Sequence, residues 1–373
     1  MSDIETFRIE IPQADLDYLH DRLTTARWPG DVPGAGWTRG MPLDDLSELA
    51  EHWRTGYDWR AQEALLNRFP QFTTEIDGQR IHFVHIRSDR PDAKPLLITH
   101  GYPSSVAEFL NLFEPLANPT DGPAFHVVAP SLPGYAFSTP LSGPGWTMGR
   151  TARAWIELMR RLGYERYGVH GGDIGAGVSG MVAALDGEHV IGMHVVTDPM
   201  TAANTATFIP GMADNLDPND PLDKLILDRM ETFKTEGSGY LAIQNSRPQT
   251  ISYGLADSPV LQLVWIAEKV HEWTDLPVDR DQLLTTVSLY WFTGSGGSAA
   301  HTLYDQAHSF DWGDEPTVPQ GFAVFGADET VRKLVPAPDG SHWTEFERGL
   351  HFPAMEAPAE LAADLQKFFG PLS

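Results

Sequence analysis

No cysteine occurs among the 373 residues. Disulfides, thiolate nucleophiles and cysteine-ligated metals are therefore excluded, and the redox compartment stays open. Basic residues are scarce: 26 Lys and Arg stand against 51 Asp and Glu, for a formal net charge of −25. Such a surface repels phosphate backbones and anionic lipid, which argues against nucleic-acid and membrane partners and gives the charge a role in solubility. No apolar run reaches the roughly 20 residues of a membrane span, and Met1 to Glu10 lacks the basic-then-apolar pattern of a secretion signal. The default expectation is a cytoplasmic protein. No internal repeat or low-complexity tract is evident. His-Glu-x-x-His and comparable ligand spacings are absent too. His82 and His85 lie three apart on an expected strand and so point to opposite faces, and no metal site is expected.

What is present is enough apolar material, 42% of residues, for one large core or a core with an inserted lobe. Residues 1–92 read as an N-terminal lobe, with Leu16, Leu19 and Leu23, then Leu46, Leu49, Ala50 and Trp53, at helical spacing. Asp77-Gly78, between two alternating stretches, marks a hairpin. From Lys94 onward short apolar runs alternate with helical ones. That rhythm predicts a mostly parallel sheet covered by helices, first over 93–198 and again over 311–373. Between them, 199–310 is rich in helix formers, aromatics, Gly and Pro, and reads as a helical lid.

The most informative stretch is Tyr167-Gly168-Val169-His170-Gly171-Gly172-Asp173-Ile174-Gly175-Ala176. A strand, a small-x-acid-x-small turn and a helix-like run form the nucleophile-elbow pattern. Its tip is a carboxylate where serine hydrolases carry serine. A serine attacking saturated carbon would leave an ether, which water cleaves poorly. A carboxylate leaves an ester, which water cleaves. Asp173 thus points to bond opening at sp³ carbon, as in an epoxide or an alkyl halide.

Such a nucleophile needs help. His100-Gly101-Tyr102-Pro103 follows an expected strand and can aim a backbone N–H at the site, so the amides of Tyr102 and Ile174 are the candidate oxyanion donors. His351, in Arg348-Gly349-Leu350-His351-Phe352, is the candidate base for water. Asp328, just after Val324-Phe325, is the candidate acid that orients it, with the neighbouring Glu329 as substitute. The order nucleophile, acid, histidine matches the α/β-hydrolase architecture.

These segments together resemble the α/β-hydrolase epoxide hydrolases, specifically the microsomal-type branch with its N-terminal lobe. The likeness rests on Ala26-Arg27-Trp28-Pro29, His100-Gly101-Tyr102-Pro103, the run Pro130 to Ser138, Gly171 to Gly175, Gly239 to Gln244, Tyr290 to Gly294 and Arg348 to Phe352. It covers nearly the whole chain, and bacterial members with tailoring roles in antibiotic pathways are among the proteins it suggests. It implies a vicinal diol product, no cofactor, and water and a small-molecule epoxide as partners; a homodimer stays open. It also implies two lid tyrosines that protonate the oxirane oxygen. Tyr240 matches the first. Tyr304 answers to the second, displaced by one position, which is about 100° of rotation on a helix. Tyr102 and Ile174 replace tryptophans found in many relatives, and the membrane anchor of the animal enzymes is not expected here.

Three other readings compete. A haloalkane dehalogenase shares the nucleophile and base, but neither Tyr102 nor Ile174 supplies a side-chain N–H for halide. A serine esterase would use Ser298 in Gly296-Gly297-Ser298-Ala299-Ala300, with too few strands after it. A non-catalytic binding protein could retain the fold.

Overall fold

The computed structural model describes residues 4–309, 311, 315–335 and 337–373. Among these, nine strands form one sheet: β1 (Glu5–Phe7), β2 (Gln71–Ile76), β3 (Gln79–Ile86), β4 (Lys94–Thr99), β5 (Phe125–Pro130), β6 (Tyr167–Gly171), β7 (Val190–Thr197), β8 (Gln320–Phe325) and β9 (His342–Phe346). Their order is β1-β2-β3-β5-β4-β6-β7-β8-β9. From β5 to β9 all neighbours are parallel, whereas β1, β2 and β3 pair antiparallel and β3 meets β5 antiparallel. The parallel strands are apolar runs because helices cover both faces. The chain order reverses between β4 and β6, and that crevice at their carboxyl ends is where ligands bind in open α/β sheets. This is an α/β-hydrolase fold.

The hairpin between β2 and β3 turns at Asp77 and Gly78, both at positive φ (51° and 72°). The Asp-Gly pair suits that two-residue turn, since neither residue pays heavily for a left-handed backbone. The first 92 residues divide between two tasks. β1, β2 and β3 widen the sheet, while helices Gln13–Thr24, Leu43–Thr55 and Trp59–Leu66 lie against the helices Pro259–Glu272 and Arg280–Thr293. Trp53 Nε1–H donates to Ser288 Oγ at 2.9 Å, and His52 Nε2 lies 2.9 Å from Asp281 Oδ1.

Between β7 and β8 the chain is helical, from Pro199–Ala206 to Ser295–Ala307. The expected lid limit at residue 310 lies outside the described residues. Among the described residues no helix is long and apolar enough to cross a membrane.

Behind the sheet, a buried polar chain links β6, β7, β9 and the final helix (Pro358–Phe369). Asp364 Oδ2 accepts from His194 Nε2–H at 3.0 Å, and Oδ1 accepts from His342 Nε2–H at 2.8 Å and Thr344 Oγ1–H at 2.7 Å. A carboxylate only accepts, so His194 carries its proton on Nε2, and Nδ1 accepts from His170 Nδ1–H at 3.0 Å. Burial drives His170 well below the ordinary histidine range, and His194 is lowered for the same reason despite Asp364. Burial alone would raise the Asp364 carboxyl, but the hydrogen bonds and charge of its partners hold it down at about 2.

Unfolding frees these groups to take up protons at their usual pKa values, near 6.5 for His and near 3.9 for Asp. The unfolded chain therefore binds more protons as the pH falls, and stability falls with it. Urea midpoints are expected to drop below about pH 6.5 through the histidines and again between about pH 4 and 2 through Asp364. Asp364→Asn should shrink the lower step, to which Glu157, also held down at about 2 by its arginine partners, contributes too; a midpoint independent of pH across both windows would contradict this account.

Candidate active site

The turn after β6 is forced by close approach. Asp173 has φ 54° and ψ −127°, a conformation that costs on the order of 1–3 kcal/mol and aims its side chain out of the turn. Small flanking residues permit it. A Cβ on Gly175 would lie 1.9 Å from the Thr99 carbonyl oxygen, and one on Gly101 would lie 2.4 Å from Asp173 Cβ. The helix Ile174–Leu185 starts directly after Asp173. The Ile174 N–H, at its first turn, has no intrahelical acceptor and adds the positive end of the helix dipole.

β4 delivers the facing turn. His100 is structural: its Nε2 accepts from Leu132 N–H at 3.1 Å and its Nδ1–H donates to Gly101 O at 3.0 Å. Burial lowers it to about 4, so it stays neutral and pins the 130–138 loop. Tyr102 N–H donates to Asp173 Oδ1 at 2.7 Å. One expected oxyanion donor is thus already on the carboxylate. The Tyr102 hydroxyl accepts from Trp265 Nε1–H. Its ring stacks on Tyr240, with centroids 6.0 Å apart and planes within 4°.

His351 faces the other carboxylate oxygen. Its Nε2 is 3.6 Å from Asp173 Oδ2, and its side chain is 8% exposed. Apart from that ion pair, Nε2 has no hydrogen-bond partner, which leaves its lone pair for a water proton. The loop carrying it is tied to the lid through His351 N–H and Trp273 O at 3.1 Å, and the two rings lie 5.0 Å apart. Nδ1 lies 2.8 Å from Thr201 Oγ1. The Thr201 hydroxyl donates to Asp198 Oδ2, which is itself 3.7 Å from Nδ1. Burial pulls the His351 pKa down, but Asp198 and Asp173, with Glu108, more than offset it, and the net shift is upward. The Glu108 carboxyl is in turn pushed up to about 7, because burial outweighs Ser104 and His351.

Asp173, His351, Tyr102, Ile174 and Tyr240 are therefore gathered as expected. Two other candidates are not. Asp328 is the first correction. It caps the helix Glu329–Leu334, accepting from Thr330 N–H at 2.9 Å and from the Thr330 hydroxyl, and it pairs with Arg229 Nη2 at 2.7 Å. Its carboxylate is occupied by the lid arginine rather than by His351, and Glu329 is exposed. The reason is local: Asp-Glu-Thr after a strand is a helix N-cap sequence as well as a catalytic-acid position.

Tyr304 is the second correction. It sits in the helix Ser295–Ala307 and stacks on His308 at 4.0 Å. Thr302, Leu303 and Gln306 of that helix, not Tyr304, line the cavity beside Ile174. The one-residue displacement turns the phenol off the site. Ser298 lies inside the same helix and donates to Gly134 O, so it occupies no elbow.

Sequence reasoning missed Asp198 and Thr201. Asp-Pro directly after a strand, with Thr three positions on, is a helix-capping signal that also marks a carboxylate at a strand's carboxyl end. It missed Trp273 and Tyr135 too. Tyr135 lines the cavity beside Ile174, and its hydroxyl is buried without a partner.

His82 is spent on Ser131 Oγ and Gln71 Oε1, both at 2.9 Å. Among the described residues no cluster of three or more His, Asp or Glu side chains is placed to share a metal ion.

A carboxylate on a strained strand-to-helix turn, with the Tyr102 amide on one oxygen and a histidine facing the other, is the site of an α/β hydrolase with an acid at its elbow. Comparisons narrow the class. Residues 4–109 match the family model "Epoxide hydrolase N terminus", and residues 94–260 match that of the alpha/beta hydrolase fold. The chain is 41% identical to a Stigmatella aurantiaca protein named "Putative epoxide hydrolase", over 98% of this chain and 84% of that one. It is 32% identical to epoxide hydrolase 1 of Sus scrofa, over 98% and 88%. The crystal structure of juvenile hormone epoxide hydrolase from Bombyx mori superposes with a TM-score of 0.85 at 28% identity, covering 99% and 95%. The chain belongs to the epoxide hydrolase family.

Proposed function

We propose that the protein opens an epoxide to a vicinal diol through an ester on Asp173. The observation that carries this is the seating of one carboxylate: Oδ1 is held by Tyr102 N–H at 2.7 Å, and Oδ2 lies 3.6 Å from His351 Nε2. Oδ2 attacks a ring carbon, the ring C–O bond breaks, and the oxygen takes the Tyr240 phenolic proton. His351 then takes a proton from water, and the hydroxide attacks Asp173 Cγ. The oxyanion develops on Oδ1 against the Tyr102 and Ile174 amides. Collapse expels the diol oxygen, which takes the proton from His351, and the Asp173 carboxyl returns its proton to Tyr240. No cofactor enters these steps.

A single turnover in heavy-oxygen water tests the route. The first diol should be unlabelled at its new hydroxyl, and label should enter Asp173. A fully labelled first diol would rule out the ester.

The Tyr240 phenol is pushed upward by burial and by Asp173, so it holds its proton at neutral pH. With Tyr304 stacked on His308, Tyr240 is the lid phenol we assign to this step, and Tyr240→Phe should slow ester formation by about 10²- to 10³-fold. Rapid-quench mass spectrometry of the ester would read this directly; a loss confined to hydrolysis would contradict it.

Leu132, Pro133, Trp146, Met148 and Leu303 around Ile174 make the adjoining cavity apolar. This supports an apolar substrate, aryl epoxides included, and a secondary-metabolite epoxide fits the same description. A cytoplasmic enzyme, alone or as a homodimer, completes the reading.

A further inference from the structure

We propose that Asp198, acting through the Thr201 hydroxyl, is the carboxylate that orients His351 for ester hydrolysis, in place of Asp328. The proposal rests on the ester route above and assigns its positioning residues.

Proton accounting fixes the arrangement. The Thr201 hydroxyl has one proton, and Asp198 Oδ2 can only accept, so that proton points to Asp198. Thr201 Oγ1 then has only lone pairs for His351 Nδ1 at 2.8 Å, and Nδ1 must donate. The imidazole is thereby fixed as the Nδ1–H tautomer. Its Nε2 lone pair faces Asp173, as a base for the hydrolytic water requires. The 3.7 Å between Nδ1 and Asp198 Oδ2 is too long for a direct hydrogen bond, so the hydroxyl is the link.

Asp198 is built into the fold for this task. It directly follows β7 and caps the helix Pro199–Ala206, beside the strand β6 that leads into Asp173. Its Oδ1 accepts from Met200 N–H at 2.8 Å and Thr201 N–H at 2.9 Å, which locks the carboxylate and turns Oδ2 to Thr201. Its side chain is 0% exposed. In that low-dielectric setting it stabilises the imidazolium formed when His351 takes its proton. Asp328 has the opposite character: a third exposed, and held by Arg229 of the lid helix Pro221–Thr232. We read that ion pair as a tie between lid and core.

The test compares Asp198→Asn, Thr201→Val, Thr201→Ser and Asp328→Asn in rapid-quench experiments on the whole enzyme. Asparagine keeps the helix cap, so Asp198→Asn retains the fold as read by thermal unfolding. Ester formation on Asp173 should persist, while ester hydrolysis slows by about 10²- to 10⁴-fold. The charged groups around His351 are Asp198, Asp173 and Glu108, and removal of the first should move the acidic limb of hydrolysis to lower pH. A purely structural role would not move that limb. Thr201→Val should slow hydrolysis about tenfold, and Thr201→Ser should restore it. Asp328→Asn should change hydrolysis no more than about threefold, with its pH limb unmoved. Normal hydrolysis with an unmoved limb in Asp198→Asn, or a trapped ester in Asp328→Asn, would overturn the assignment. Failure of the unsubstituted enzyme to form an ester would instead sink the reaction route.

Discussion

Asp173→Ala is expected to lower kcat for epoxide opening by at least about 10⁴-fold, with diol formation near the uncatalysed level. The size follows from the position of the carboxylate. Its carboxylate lies between the Tyr102 N–H and His351, and on the proposed route alanine leaves neither a nucleophile nor an ester carbonyl for water to attack. Tyr240 and the apolar cavity remain, so a substrate still binds and is still offered a proton. The Tyr102 N–H loses its acceptor, at about 1–2 kcal/mol, which thermal unfolding would register as a modest loss. Activity and stability therefore separate: turnover should vanish in a protein that remains folded. Turnover within about tenfold of the parent would show that the bond is opened by some other group.

His351→Gln should produce a different failure. Ester formation needs Asp173 and Tyr240 but not the imidazole, so the variant should react once and stop. Intact-protein mass spectrometry should find one substrate mass added per chain, mapped to the peptide that contains Asp173. Hydrolysis should slow by about 10²- to 10⁴-fold, the contribution of a general base. In the parent enzyme the His351 pKa lies above the ordinary value of 6.5 because Asp198 and Asp173, with Glu108, outweigh burial. The base works only when neutral. Hydrolysis should therefore fall as the pH drops through the pKa that His351 has in the ester, where Asp173 carries no charge and Asp198 and Glu108 remain to raise it. A variant that cleared the ester at the parental rate would remove His351 from the reaction.

Much of this arrangement was legible before any coordinates. Asp173 could be read because close backbone approach demands small residues on both sides of the elbow, and the rival small-x-Ser-x-small run at Ser298 has too few strands after it. His351 could be read because few residue types titrate near neutrality and it lies after the last strand. The orienting acid could not. Acids follow both β7 and β8, and each begins a helix, so chain order alone does not separate a capping carboxylate from a catalytic one. Both carboxylates take a threonine hydroxyl and backbone amide hydrogen bonds; the difference is that Asp328 also holds an arginine from a distant helix, whereas the threonine on Asp198 meets His351. That information is tertiary. Tyr304 teaches the same lesson at finer scale, since one residue of helical register decides whether a phenol meets the cavity or a neighbouring histidine. The N-terminal lobe was visible as helices and a hairpin, but the pairing of β3 with β5 that joins it to the main sheet across the lobe boundary is not revealed by local pattern.

Trp273 has a consequence for how each catalytic cycle is timed. Its carbonyl holds the peptide of His351, and its ring leans on His351 at 5.0 Å and on Tyr240 at 5.6 Å. Tyr240 and His351, the proposed proton donor and base, are thus moored to one indole at the end of one covering helix. Shifting that helix far enough to admit a molecule casts both adrift together. A half-finished adduct is accordingly shielded from bulk solvent for as long as its machinery is seated, and the slow event is expected to be the parting of cover from base plate rather than the chemistry.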